Sequence, residues 1–481
     1  MTYVSDIVGN SEVEKWFCQM FNEGSCSVFI GSQTGSGKSY FIAHTLGDFC
    51  SENHQNILLI TNRRLLKMQV ENYLAECKRQ NIEVVNYQKV ESMGTTAYYY
   101  LSNYDVIVCD EAHYLFSDAS FNRYTDTLLD ILRETPKGKV CIFMTATPDI
   151  LLYYRHEFNF VYYLPADYSY IENVYFFRED KSISNLLEGN NKILYFCRSA
   201  KRAANNCRKY KDSKYICSES NVKYGKRSSK RELQNIVFED KFSSKILFAT
   251  KVLDNGVNIK DKDLETIIID TIDPVNLIQC LGRRRRLGEN DKINVYIKIY
   301  DRGEISYQFG YFKRRIEIAQ ELIKLGKAKF LEKYSKKKLD DIIDNDMTIN
   351  RAKYISYKYY IDLYQSWLQG DAEVEFMKYM CNKLGKNFRS DMILEVLDQK
   401  KKILNVLKKY LNREMNASVK NELRREVWST ITIDVKTNGR DQGLKNTNNL
   451  FEELDIGYKI VSLVRKNNNK QSERYWKIVG R

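Results

Sequence analysis

The chain has 481 residues, 43% of them hydrophobic and 29% charged, which is more than one compact core and suits three or four modules. Its net charge is +14, from 76 basic and 62 acidic residues, and residues 303–481 hold 36 basic against 24 acidic, so the excess lies toward the C-terminus and suits a polyanionic partner, nucleic acid first. No run of about 18 apolar residues occurs, no basic segment precedes an apolar stretch at the N-terminus, and the eleven cysteines form no CxxC pair. Neither a membrane span nor a signal peptide nor a zinc cluster is therefore expected, and a reducing cytoplasm is the expected location.

The first 165 residues alternate between short apolar runs and helix-period stretches. Strands are expected at 27–31, 57–61, 83–86, 105–110 and 139–145, with crossover helices between them, the mark of a parallel sheet. The plan restarts with strands expected at 192–197, 245–250, 266–270 and 293–299. This gives an α/β chain of two tandem units, 1–165 and 166–302. Helical periodicity with Lys-rich faces then runs from Tyr311 to about Leu423, a basic helical domain over 303–424. The last unit, 425–481, reads as a short helix from Lys445 to Leu454, a strand from Tyr458 to Arg465, a turn from Lys466 to Lys470 and a second strand from Glu473 to Val479. That is the outline of a winged-helix module, similar to the tails of some phage replication proteins. Lys466, Lys470 and Arg474 would sit on its wing and reach a phosphate backbone. The plainer alternative is a structural cap on the helical region.

Two segments carry chemistry. Gly31-Ser-Gln-Thr-Gly-Ser-Gly-Lys-Ser39 follows the first strand and opens a helix, the context a phosphate-binding loop requires. Gly35, Ser36 and Gly37 would present backbone N–H groups to the phosphates, Lys38 would reach the β- and γ-phosphates, and Ser39 would ligate magnesium. Ser32 stands where the strict pattern has glycine. Downstream, the apolar run from Asp105 delivers Asp110-Glu-Ala-His113 to a strand end, where ligands bind in open α/β sheets. Asp110 would hold magnesium, and Glu111 would orient and deprotonate the attacking water beside it.

With these two motifs in order, residues 25–300 resemble a superfamily 2 helicase of the DEAH-box type, from a phage or mobile element. The resemblance implies two tandem RecA-like parallel-sheet lobes, with ATP and Mg2+ bound between them. It implies that Thr145 and Thr147 of Thr145-Ala-Thr-Pro148, with His113, couple hydrolysis to nucleic-acid binding. Arg64 and Gln69 match the first nucleic-acid motif, Arg198 a backbone-contacting loop, and Thr250, Gly256 and Asn258 a segment touching nucleotide and strand. Asn258 replaces the usual aspartate. Gln279, Gly282, Arg283 and Arg286 match the arginine-finger motif, so Arg283 and Arg286 would point at the γ-phosphate; Arg284 and Arg285 would at most bind phosphate. No glutamine-centred adenine motif precedes the loop. The implied activity is ATP-driven helicase or translocase action, on DNA first, in replication, recombination or repair, with 3′ to 5′ polarity. An RNA helicase and an ATP-switched, origin-recognising DNA-binding protein are the alternatives.

Overall fold

The computed structural model describes residues 2–480 except 63, 120–121, 134–135, 156, 255–256, 335–340, 432–442 and 467–471, and leaves out the side chains of 64–66, 69, 133, 252 and 254. Gly256, Lys470 and the side chains of Arg64 and Gln69 thus lie outside the described residues. Among the described residues, no helix is long and apolar enough to cross a membrane.

Strands covered on both faces by helices read as unbroken apolar runs, and the central strands here do so. In lobe 1, β1 (Cys26–Gly31), β2 (Ile57–Thr61), β3 (Ile82–Asn86), β4 (Val106–Asp110), β5 (Val140–Thr145) and β6 (Phe160–Tyr163) form one sheet in the order β3-β2-β4-β5-β1-β6. Every pair is parallel. In register, Gly31 lies opposite Thr145, and Asp110 opposite Met144. The segments that follow β1, β4 and β5 therefore leave the sheet side by side at one edge. Lobe 2 repeats the plan with β7 (Ile171–Phe177), β8 (Lys192–Phe196), β9 (Ser213–Ile216), β10 (Ile246–Ala249), β11 (Leu264–Ile269) and β12 (Ile293–Lys298), in the order β7-β12-β11-β8-β10-β9.

Three strands were not expected from the sequence: β6, β7 and β9. Each lies at an edge of its sheet. An edge strand is half solvated, so its apolar signal thins: β6 alternates between half-buried and exposed residues, β7 carries Glu172 and Asn173, and β9 is four residues long with an exposed Lys214.

The helices that matter for the site are α1 (Pro274–Arg283), α2 (Arg302–Tyr334, broken at Gly326), α3 (Arg351–Leu368) and α4 (Ala372–Lys383). The region 303–424 is not a separate appendage. Tyr359, Tyr360, Tyr364, Trp367 and Phe376 from α3 and α4 share one hydrophobic core with residues of both lobes. On lobe 1, Tyr153 donates to Asp362 at 2.6 Å, Asp126 accepts from the Ala352 N–H at 2.9 Å, and Lys383 pairs with Asp149 at 2.5 Å. On lobe 2, Phe376 packs against Tyr300 and Arg178 pairs with Glu373. The helices form a strap across both lobes.

The last module contains α5 (Leu394–Lys408), α6 (Ala417–Ser429), α7 (Leu444–Glu453) and the antiparallel hairpin of β13 (Tyr458–Lys466) and β14 (Ser472–Gly480). Its core runs from Ile403 to Ile478. Residue 425, expected as the start of this module, lies inside α6, so the packing unit begins earlier, with α5. The sequence hid this because α5 continues the Lys-rich helical periodicity before it.

Candidate nucleotide-binding cleft

A cleft of about 830 Å³ runs between the lobes. Lobe 1 lines it with Gly35, Gly37, Lys38, Ser39, Asp110, Glu111 and His113; lobe 2 answers with Arg198, Thr250, Asn258, Gln279, Arg283 and Arg285. The loop after β1 turns twice through left-handed backbone, at Gly35 (φ 90°) and Gly37 (φ 78°), a region open to glycine without strain. Lys38 then begins the helix, buried, with Nζ donating to the Ser32 carbonyl at 3.1 Å. At the end of β4, Glu111 takes φ 53°, a conformation costly for a residue with a Cβ and found where a site over-determines it.

The electrostatics follow from this crowding. Lys38 Nζ lies 4.0 Å from Glu111, and His113 Nδ1 lies 3.3 Å from the other oxygen of that carboxylate. Burial by itself would raise Glu111, but Lys38, His113 and Arg283 outweigh it and hold the carboxyl well below its ordinary range. Asp110 moves the other way, raised by burial and by the adjacent Glu111 charge against the pull of Lys38. The two acids thus have separated characters, with Glu111 firmly ionised. His113 Nδ1 also meets Thr145 Oγ1 at 3.1 Å, and that hydroxyl accepts from the Thr147 N–H at 3.0 Å. A continuous polar chain therefore joins the acidic strand end to the segment after β5.

Across the cleft, α1 starts at Asp273, whose side chain accepts from the Val275 N–H at 3.0 Å, with proline at the first turn. One turn from its end, Gln279 holds Arg283 through both its carbonyl (3.1 Å) and its side-chain oxygen (2.8 Å). Gly282 is where α1 meets the phosphate loop: a Cβ there would come within 2.6 Å of Thr34 Oγ1. No larger residue fits that approach. Several polar atoms around this junction are buried without a hydrogen-bond partner: Thr34 Oγ1, Ser36 Oγ, Gln279 Nε2 and Arg285 Nη1. Buried polar groups are normally satisfied, so this ring of open donors and acceptors marks the place of a polar ligand.

The four consecutive arginines part ways. Arg283 faces the cleft. Arg285 also lines it, donating to Asn258 at 2.7 Å, where burial and then the Arg283 charge pull it down to about 10. Arg286, expected to point at the γ-phosphate beside Arg283, instead pairs with Asp167 and donates to the Gly288 carbonyl at 3.0 Å. The reason is local: Asp167 sits in the connection between the lobes, its backbone N–H held by Gln33 at 2.8 Å, and presents the nearest carboxylate. Arg284, expected as at most a phosphate binder, is 2% exposed and locked onto Asp291, with Nε donating to the Leu264 carbonyl at 3.3 Å. Breaking such a pair from one side leaves a charge behind, so Arg284→Ala should cost about 3 kcal/mol of stability. A lowered urea midpoint checks this; an unchanged midpoint would take Arg284 out of the frame of lobe 2. Of the remaining expected contacts, Arg198 pairs with Glu304 at 3.1 Å at the cleft mouth, and Lys466 and Arg474 lie far along the chain on the hairpin.

Fold and cleft together define a class: two RecA-like lobes of parallel sheet with a nucleotide-type loop on one and an arginine helix on the other. Comparison with known proteins narrows it. Residues 25–146 match the family model described as the Schlafen group 3 DNA/RNA helicase domain, and residues 179–288 match the helicase conserved C-terminal domain. Both lobes are helicase domains of superfamily 2. No curated protein matches the chain. Among solved structures, the chain is similar to Dbp5 of S. cerevisiae bound to RNA and ADP BeF3 (15% identity, 62% of this chain and 86% of that one, TM-score 0.43). It is also similar to the helicase Lhr of Mycobacterium smegmatis bound to ssDNA and AMP-PNP (14%, 64% and 47%, 0.40). A third is the DEAH/RHA helicase HrpB of Escherichia coli (12%, 96% and 65%, 0.40).

Proposed function

We propose that the chain is an ATP-driven helicase or translocase acting on DNA in the cytoplasm, in replication, recombination or repair of a phage or mobile element. The observation that carries this reading is the meeting of Lys38 and Glu111 of lobe 1 with Arg283 of lobe 2 around a ring of unpaired buried polar atoms. Gly35, Ser36 and Gly37 cradle the phosphates with backbone N–H groups, and Lys38 neutralises the β- and γ-oxygens. Ser39 and Asp110 offer a hydroxyl and a carboxylate, hard oxygen donors that fit magnesium; the ion supplies charge stabilisation at the transferred group. Glu111, kept ionised, takes the proton of the attacking water. Arg283, oriented by Gln279, adds its charge from the second lobe only while the cleft is closed, so loss of the γ-phosphate loosens the closure. His113, Thr145 and Thr147 pass that change along lobe 1. Arg64, Gln69, Arg198, Thr250, Gly256 and Asn258 are the proposed strand contacts, with Gly256 also at the nucleotide.

The test is ATP turnover with single-stranded DNA or RNA of equal length. Stronger stimulation by DNA is expected. Stronger stimulation by RNA would make the protein an RNA helicase, and response to one defined duplex site without strand movement would make it an ATP-switched DNA-binding protein. No turnover with any of them would end the motor reading.

A further inference from the structure

The C-terminal module has a face that the ATP cleft does not use. Helix α5, a one-residue strand at Met415, helices α6 and α7, and the hairpin follow one another in that order. Met415 and Trp476 exchange N–H···O bonds of 2.9 and 3.0 Å, which adds a third strand to the hairpin. Helix α7 buries Thr447, Leu450 and Phe451 and leaves Lys445 and Asn449 exposed. Asn448 fixes its angle to the hairpin, donating to the Ile460 carbonyl at 2.9 Å and accepting from its N–H at 2.8 Å. The apolar contacts of α7 and the hairpin stay within the module, so this face is not covered by the lobes or the strap.

The hairpin register sorts its charges. Ile460 pairs with Ile478, Val464 with Arg474, and Lys466 with Ser472. Side chains alternate along a strand, so Lys466 and Arg474 project from the same face as Ile460, the face on which α7 packs. Lys459 and Arg465 project from the other. Arg465 is neutralised there by Glu414 at 2.6 Å and Glu473 at 3.2 Å. Among the described residues, Lys445, Lys466 and Arg474 make no ion pair. The sequence from 394 onward holds 19 basic against 11 acidic residues, a larger share of the excess charge than its length.

We infer that α7 and the hairpin face bearing Lys466 and Arg474 clasp double-stranded DNA. This rests on the nucleic-acid reading above and deepens it from a strand to a duplex. The major groove of B-form DNA, about 12 Å wide, admits a helix, whereas that of an RNA duplex is deep and narrow and does not. Helix α7 enters that groove with its N-terminal half, because Glu452 and Glu453 occupy its other end. Lys445 and Asn449 then meet base edges, ammonium to guanine and amide to adenine, while Lys466 and Arg474 rest on the flanking phosphates.

The experiment uses the full chain without ATP and follows fluorescence anisotropy of a DNA duplex of about 20 base pairs, two helical turns, beside an RNA duplex of the same sequence. The DNA duplex should bind more tightly. Replacing Lys445, Lys466 and Arg474 together with Glu should weaken it at least about tenfold and flatten the salt slope by about three. Lys459→Glu, the same charge change on the opposite hairpin face, should leave binding as it was. Unaltered circular dichroism in both variants separates this from misfolding, and a misfolded triple variant is replaced by the three single changes. Equal binding of the two duplexes, or an equal loss from Lys459→Glu, overturns the inference. Absence of ATP turnover in the unaltered chain overturns the motor reading and leaves duplex binding standing.

Discussion

Glu111→Gln should bind ATP and fail to turn it over, with a rate about 10²- to 10⁴-fold down, the usual contribution of a positioned general base. The amide keeps the shape of the carboxylate and its place at φ 53°, so folding is spared. What it loses is the ability to take a proton and the charge that Lys38 and His113 now hold in its ionised form. Lys38→Ala should also abolish turnover, but for a different reason: without the ammonium the phosphates meet only backbone dipoles, and ATP affinity falls with the rate. A single-turnover measurement with separately determined ATP binding distinguishes the two. Turnover near the unaltered rate in either variant would move the nucleotide site elsewhere.

Arg283→Ala should cost about 10³-fold or more in turnover, as loss of a finger does in other phosphoryl-transfer enzymes. It is oriented by two bonds from Gln279 and lies close enough to help hold Glu111 ionised. Arg286→Ala should be much milder, because its guanidinium is spent on Asp167 rather than on the cleft. Steady-state rates of the two variants side by side decide it. Equal losses would mean that Arg286 leaves Asp167 when nucleotide binds, and a harmless Arg283→Ala would place the second-lobe charge on Arg285.

The contrast between these two arginines shows what the sequence could carry. Strands ending in Gly31, Asp110 and Thr145 were legible because each is an apolar run that stops at a chemical motif, and their parallel neighbours set them at one level. The partner of Arg286 was not, since Asp167 lies 119 residues away in sequence and belongs to no motif. The same holds for Arg284 and Asp291, where spacing gives residue types but not which side chain is buried. Strands β6, β7 and β9 went unread for want of a second covered side. The helical region was read as one basic domain because its surface is Lys-rich, while its function as a strap depends on Tyr360, Trp367 and Phe376, whose partners lie in both lobes.

That strap has a mechanical consequence. The lobes are joined once by the covalent connection between β6 and β7, and a second time by α3 and α4, which grip Asp126 and Asp149 on one side and Arg178 and Tyr300 on the other. Two bodies fastened at one point can tumble freely about it; fastened at two, they can only swing about the line between the fastenings. Opening of the cleft is then the motion of a door, with one degree of freedom, and Arg283 on α1 travels along a single arc, meeting the phosphate loop at Thr34 each time the door shuts.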